Sequence, residues 1–260
     1  RQRQMCIRDR LRENRWEEAA AELDRYLTFL RTCSAWWYAD HSFGNQDLEK
    51  WTSCSEIGHV LETKDHVTIC VESKERTWEL MIYPVVGGFR MISGKKGFFD
   101  GQPEAFSVEE SEHAYIIRSK EHEMILQKET LEISIDRKAI TNLKNISFIF
   151  EKESVSASRI QFSIHENSAI YGFGERFDSV NQYGKTVALW QRDACEGCLA
   201  SIGNQAYKNI PLVHTSDGFS FFANTSYRMR MDVGDAVQDY LSVEALGDVF
   251  DFYIWSGTPR

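Results

Sequence analysis

Leu131, Ile133 and Ile135 alternate with Glu132, Ser134 and Asp136, and this two-residue period is the dominant pattern of the chain. Successive side chains on a strand point to opposite faces, so a period of two predicts strands with one buried face and one wet face. Ile146, Phe148 and Phe150 repeat it, as do Ile160, Phe162 and Ile164. Later, Tyr227, Met229, Met231 and Val233 face one way while Arg228, Arg230 and Asp232 face the other. Further strands are expected over 66–72, 78–83, 89–92, 114–118, 123–127, 219–223 and 249–255. Turn-forming stretches such as Gly87-Gly88, Gly94-Lys95, Asp136-Arg137 and Ser216-Asp217-Gly218 fall between them. Many short strands with tight turns predict antiparallel sheets packed face to face, an all-β sandwich.

Composition narrows the partners. The 260 residues are 42% hydrophobic and 13% aromatic, ample for a core, with no repeat or low-complexity tract. Asp and Glu outnumber Lys and Arg by 39 to 30, so nucleic acid and anionic membranes would be repelled at long range. No run approaches the ~20 apolar residues that cross a bilayer. Neutral sugars are unaffected by this charge. A homo-oligomer is compatible with the sequence.

Six cysteines are scattered at 6, 33, 54, 70, 195 and 198. A closed zinc site needs about four ligands, and Cys195-Glu-Gly-Cys198 is a single pair. Free thiols in a reduced bacterial cytoplasm are therefore expected, with no metal and no cofactor. The seven histidines show no metal-ligand spacing either.

The chain ends differ from the middle. Residues 1–10 resemble translated adaptor sequence and are expected to be non-native. Trp16, Ala19, Ala20, Leu23, Leu27 and Leu30 recur at helical spacing, which predicts an amphipathic helix over 16–31 within a helical and irregular extension, 11–55. An aromatic cluster, Trp36-Trp37-Tyr38, follows; such rings cover a core edge or stack on sugar. The sandwich is expected to occupy 56–260.

Residues 171–211 break the alternation. They run Tyr171-Gly-Phe-Gly-Glu-Arg-Phe177, Asn181-Gln-Tyr-Gly-Lys185, Leu189-Trp-Gln-Arg-Asp193 and Gln205-Ala-Tyr-Lys-Asn-Ile-Pro211. The stretch from Arg192 to Asn204 has little strand pattern and reads as a long ordered loop, of the kind that tends to carry function.

These motifs, with Gly218-Phe-Ser-Phe-Phe-Ala-Asn224 and the strand running into Ser256-Gly-Thr-Pro259, resemble the amino-terminal domain of glycoside hydrolase family 31, in the same order and spacing. The resemblance covers about residues 60–260, and the α-xylosidase-like branch is nearest. It implies a galactose-mutarotase-like antiparallel β-sandwich set before a (β/α)8 barrel. That barrel would supply two aspartates for retaining hydrolysis through a covalent glycosyl-enzyme, with carboxylates about 5–5.5 Å apart. The chain is expected to stop before the barrel, so no catalytic residue is assigned within it. Gln191 stands where the family often has Asn, and Cys195 and Cys198 stand where relatives carry small polar residues and glycine.

The resemblance further implies that the Trp-x-x-Asp loop reaches the sugar near the leaving-group subsite. Asp193, Trp190 and Arg192 are the substrate-binding candidates, and the ligand is an oligosaccharide or α-glycoside. An ionised Asp193 can accept from two sugar hydroxyls, at about 1.5–3 kcal/mol per charge-assisted bond. Equally, an aspartate here can cap a turn or hold loop amides. Trp190 can stack on a pyranose or anchor the loop by packing. Arg192 can steady the carboxylate or face water. Glu175 and Arg176 are expected to form a structural pair beneath the loop, with Lys208 and Asn209 as scaffold. Two alternatives stay open: a free-standing carbohydrate-binding module, and a mutarotase-like epimerase using a general acid and base such as His165 and His214. Asn145 and Asn224 begin glycosylation triplets of the kind that arise by chance.

Overall fold

A computed structural model describes residues 15–21, 23, 51–74, 76–94, 101–176, 179–190, 206 and 208–257. Their strands, numbered along the chain, make two sheets. The first has ten strands and runs β13 (Lys185–Leu189), β16 (Met229–Val233), β17 (Tyr240–Leu246), β11 (Ser154–Ser163), β10 (Lys138–Glu151), β9 (Glu132–Ile135), β8 (Glu123–Gln127), β7 (Ala114–Arg118) and β6 (Ser107–Glu110), with β1 (Thr52–Ser53) also on β10. The second has eight: β12 (Ile170–Gly174), β14 (Asn209–Thr215), β15 (Phe219–Ala223), β18 (Val249–Ser256), β5 (Gly88–Gly94), β4 (Thr77–Val85), β3 (Val67–Glu72) and β2 (Glu56–Glu62). Neighbours within both sheets pair antiparallel.

The expected alternation builds the core. Ile133, Ile135, Ile146, Phe148, Ile160, Phe162, Met229, Met231 and Val233 are all buried. Facing them are Phe219, Phe221, Phe250, Phe252 and Ile254. Phe162 stacks on Phe221 with centroids 4.6 Å apart, and Phe148 meets Phe250 edge-on at 5.5 Å. Such aromatic pairs each add about 0.5–1.5 kcal/mol beyond burial. The Asp136-Arg137 turn, with φ of 51° and 66°, joins β9 to β10 in the mirror-image geometry that matches strand twist.

Three expectations change. Tyr227 is not on the buried face of a strand; β16 begins two residues later, and Tyr227 is 44% exposed. Its hydroxyl donates to Asp248 Oδ1 at 3.1 Å and its ring lies over Gly247, where a Cβ would come within 2.6 Å. Second, residues 16–21 and 23 are helical, but Trp16 and Leu23 are exposed while Ala19 is buried. The rest of that predicted helix, the cluster at 36–38 and residues 1–10 lie outside the described residues.

Third, the wet face is not wet everywhere. β5 and β18 are buried on both sides. On the face of β5 and β18 turned away from the sandwich core, Arg90 and Asp251 form a fork, Nε to Oδ1 at 2.8 Å and Nη2 to Oδ2 at 2.6 Å. Their side chains are 3% and 0% exposed. Asn224 Nδ2 donates to the same Oδ2 at 2.9 Å, and the guanidinium lies 4.9 Å from the Tyr253 ring centroid. Asn224 is thus a buried structural residue. The pair is out of reach of any local pattern, because its members are 161 residues apart.

Candidate functional site

The Tyr171–Phe177 motif bends the edge of the eight-stranded sheet. Gly172, Phe173 and Gly174 all have positive φ, at 119°, 67° and 89°. A Cβ at 172 would sit 2.1 Å from the Leu212 carbonyl oxygen, and one at 174 would sit 2.0 Å from that of Lys208, so both positions require glycine. Phe173 is held in a conformation rare for aromatic residues by its fully buried ring. The register of β12 on β14 shifts between Gly172 and Gly174, bringing Gly174 opposite Asn209.

Beyond this bulge the Glu175 amide donates to the Lys208 carbonyl at 3.0 Å. Glu175 and Arg176 do not pair with each other. The Glu175 carboxylate meets Lys208 Nζ at 3.3 Å with both side chains mostly exposed, a contact of small energetic weight. Arg176 turns the other way and donates from Nη2 to the Ala188 carbonyl at 3.0 Å and to Asn209 Oδ1 at 2.8 Å. Asn209 Nδ2 donates to the Ala206 carbonyl at 3.0 Å. Asn209 is the scaffold residue the sequence suggests, whereas Lys208 presents its ammonium at the surface. The Asn181 motif is scaffold too: Asn181 Oδ1 accepts from the Ile170 and Tyr183 amides at 2.9 and 3.1 Å.

β13 then delivers Trp190. Leu189 is buried, and Trp190, one residue past the strand, is 42% exposed. It borders a cavity of about 410 Å³. Leu189, Pro211 and Met229 give it apolar lining; Asn209, Thr225 and Ser226 give it polar lining; Trp190 and Tyr227 are its exposed aromatic members. No described lining residue is a carboxylate, histidine or cysteine, so this lining offers stacking and hydrogen bonds rather than proton transfer.

Trp190, one of the three substrate-binding candidates, borders this groove. Arg192 and Asp193 lie outside the described residues, as do Gln191, Cys195 and Cys198. Tyr227, Thr225 and Ser226 are groove residues that sequence reasoning missed; the period-two pattern absorbed Tyr227 into a strand. The turn signal Gly247-Asp248, whose glycine leaves room for the Tyr227 ring, is a trace of its true place.

Of the two histidines considered for epimerase chemistry, His214 has its ring against a structural partner, whereas His165 is exposed and is held through its backbone. His214 Nδ1 is 2.8 Å from Ser220 Oγ, and the His165 amide donates to Ser168 Oγ at 2.9 Å. Among the described residues no cluster of three or more His, Cys, Asp or Glu side chains suits a metal. Cys54 and Cys70 are free and buried.

Comparison with known proteins bears on this geometry. The family described as the glycosyl hydrolase 31 N-terminal galactose mutarotase-like domain matches residues 65–232, more than half the chain. The chain is similar to alpha-xylosidase XylQ of Lactiplantibacillus pentosus, 33% identical over 107 residues that make up 41% of this chain and 13% of that protein. It is also similar to alpha-glucosidase 2 of Bacillus thermoamyloliquefaciens, 24% identical over 162 residues, 59% of this chain and 20% of that one. Among solved structures, the cycloalternan-forming enzyme from Listeria monocytogenes in complex with pentasaccharide substrate superposes with a TM-score of 0.70 at 17% identity, covering 80% of this chain and 21% of that one. That last likeness is one of fold. The chain thus spans about a fifth or less of the curated relatives it matches.

Proposed function

The chain belongs to the family of glycosyl hydrolase 31 N-terminal galactose mutarotase-like domains, and on that premise we propose that it shapes the substrate site of a retaining α-glycosidase of the α-glucosidase or α-xylosidase type. In this proposal the domain binds oligosaccharide at the leaving-group subsite, while the two hydrolytic carboxylates come from a barrel outside this chain. The observation that carries it is the groove between Trp190 and Tyr227, two exposed aromatic rings beside hydrogen-bonding groups from Thr225 and Ser226. A pyranose has an apolar face and a rim of hydroxyls, and that lining suits both. Asp193 follows Trp190 by three residues and is assigned the hydroxyl-accepting carboxylate, with Arg192 beside it.

The test is a fluorescence titration of the chain with maltotriose and with an α-xylosyl-glucose disaccharide. Trp190→Ala is expected to weaken binding about 5–10-fold, the equivalent of roughly 1 kcal/mol of lost stacking. Asp193→Asn is expected to weaken it about 10-fold or more, through loss of a charge-assisted acceptor. Clear hydrolysis of a nitrophenyl α-glycoside by the chain alone would overturn the division of labour. Binding that is unchanged in Trp190→Ala would move the sugar site elsewhere. A free-standing binding module shares this groove and differs in one readout: its affinity stays the same when a catalytic barrel is joined to it.

A further inference from the structure

The partners of Arg176 lie on two different sheets. Ala188 belongs to β13, the edge strand of the ten-stranded sheet, and Asn209 begins β14 in the eight-stranded sheet. The Nη2 nitrogen carries two protons, enough for both acceptors, at 3.0 and 2.8 Å. Among the described residues β13 has a ladder partner on one side only, so Arg176 supplies a donor to a carbonyl of an edge strand. Asn209 passes the tie on to the Ala206 carbonyl at 3.0 Å. Ala188 and Ala206 are both buried. One guanidinium therefore holds β13 and β14 together. The three consecutive positive φ values at Gly172, Phe173 and Gly174 turn the chain into this position, and the Glu175 amide bond to Lys208 secures it.

We infer that Arg176 is a positioning residue for the sugar groove: by tying β13 to β14 it sets where Trp190 stands relative to Tyr227. Trp190 lies two residues beyond the Ala188 carbonyl, so displacement of that carbonyl displaces the ring. Lysine at 176 offers a point charge on a flexible stem rather than a planar fork, and restores the tie only in part. The inference rests on the proposed sugar site for its consequence, but its geometric half is read without sugar.

The experiment compares Arg176→Met and Arg176→Lys with the parent chain, each also carrying Trp190→Phe in a matched pair. The difference within a pair isolates the Trp190 signal from the other tryptophans. Acrylamide quenching of that signal is expected to change about twofold in Arg176→Met, and the Kd for maltotriose to rise about 10-fold. Arg176→Lys is expected to recover part of both. Should Arg176→Met fail to fold, Asn209→Ala removes one arm of the tie and is expected to shift both readouts the same way. Wild-type quenching and Kd in a folded Arg176→Met chain, even with a lowered Tm, would show a merely structural residue and overturn the inference. Altered quenching in a chain whose wild type binds no oligosaccharide would sink the proposed sugar site and still support the positioning of Trp190 by Arg176.

Discussion

Replacing Asp251 by Asn keeps the side chain's shape and removes its charge beneath Arg90. The pair is 3% and 0% exposed, so water cannot take over the solvation of the guanidinium. One Asn oxygen can still accept from Arg90 Nε, now at 2.8 Å. The amide nitrogen then replaces Oδ2, which accepts from Arg90 Nη2 at 2.6 Å and Asn224 Nδ2 at 2.9 Å. Two donor–acceptor contacts become donor–donor contacts, and a buried cation loses its counter-charge. Breaking a buried pair in this way costs about 3–5 kcal/mol. For a chain of this size that lowers Tm by roughly 6–20 °C. The assay is equilibrium urea unfolding, in which the midpoint should fall with little change in slope. The double variant Arg90→Met with Asp251→Leu should regain part of the loss, because an apolar pair of similar volume needs no solvation, while Asn224 Nδ2 is left without its acceptor. A loss below about 1 kcal/mol for Asp251→Asn would refute the burial of the charge. A double variant no better than the single one would assign the loss to packing instead.

Three further outcomes follow from particular contacts. Gly172→Ala should cost at least about 3 kcal/mol in urea unfolding, against about 1 kcal/mol for Gly184→Ala, because a Cβ at 172 meets the Leu212 carbonyl at 2.1 Å while one at 184 meets nothing within 4 Å; equal losses would contradict the tight β12–β14 approach. Burial pushes the Asp136 carboxyl up, but the His122 ring, the Glu123 amide and the Ser256 hydroxyl outweigh it and hold it below its ordinary value. Its contribution to stability is therefore full above the unfolded carboxylate range and lost as pH falls below about 4 through the depressed value; unfolding followed against pH should be flatter there in Asp136→Asn, and an unchanged acid slope would count against the pairing. Burial pushes the Cys54 thiol up to about 11, so at pH 8 roughly a thousandth is thiolate; peptide mapping should show iodoacetamide reacting with Cys54 only after unfolding, and rapid labelling of the native chain would show the thiol to be accessible.

Much of the fold was legible along the chain. The strands predicted at 114–118, 123–127 and 219–223 coincide with β7, β8 and β15. Those signals are local: a residue two positions away shares a face, whichever strand pairs alongside. The sandwich class and the family resemblance follow from such patterns and from ordered motifs. Tyr227 fell to the same rule, since alternation extended one step too far cannot report that the strand has not yet begun.

The sequence by itself determined which segments alternate toward a core and where the chain must turn, because those demands act between near neighbours. Only the tertiary structure decided what meets across the sheets. Strand order put β5 beside β18 and so placed Arg90 on Asp251, 161 residues away. The bulge in β12 aimed Arg176 across to Ala188, and the packing of β13 near β14 set Trp190 and Tyr227 on one groove. No local pattern encodes those meetings, since each depends on pairing and register between segments that become neighbours only when the sheets have formed.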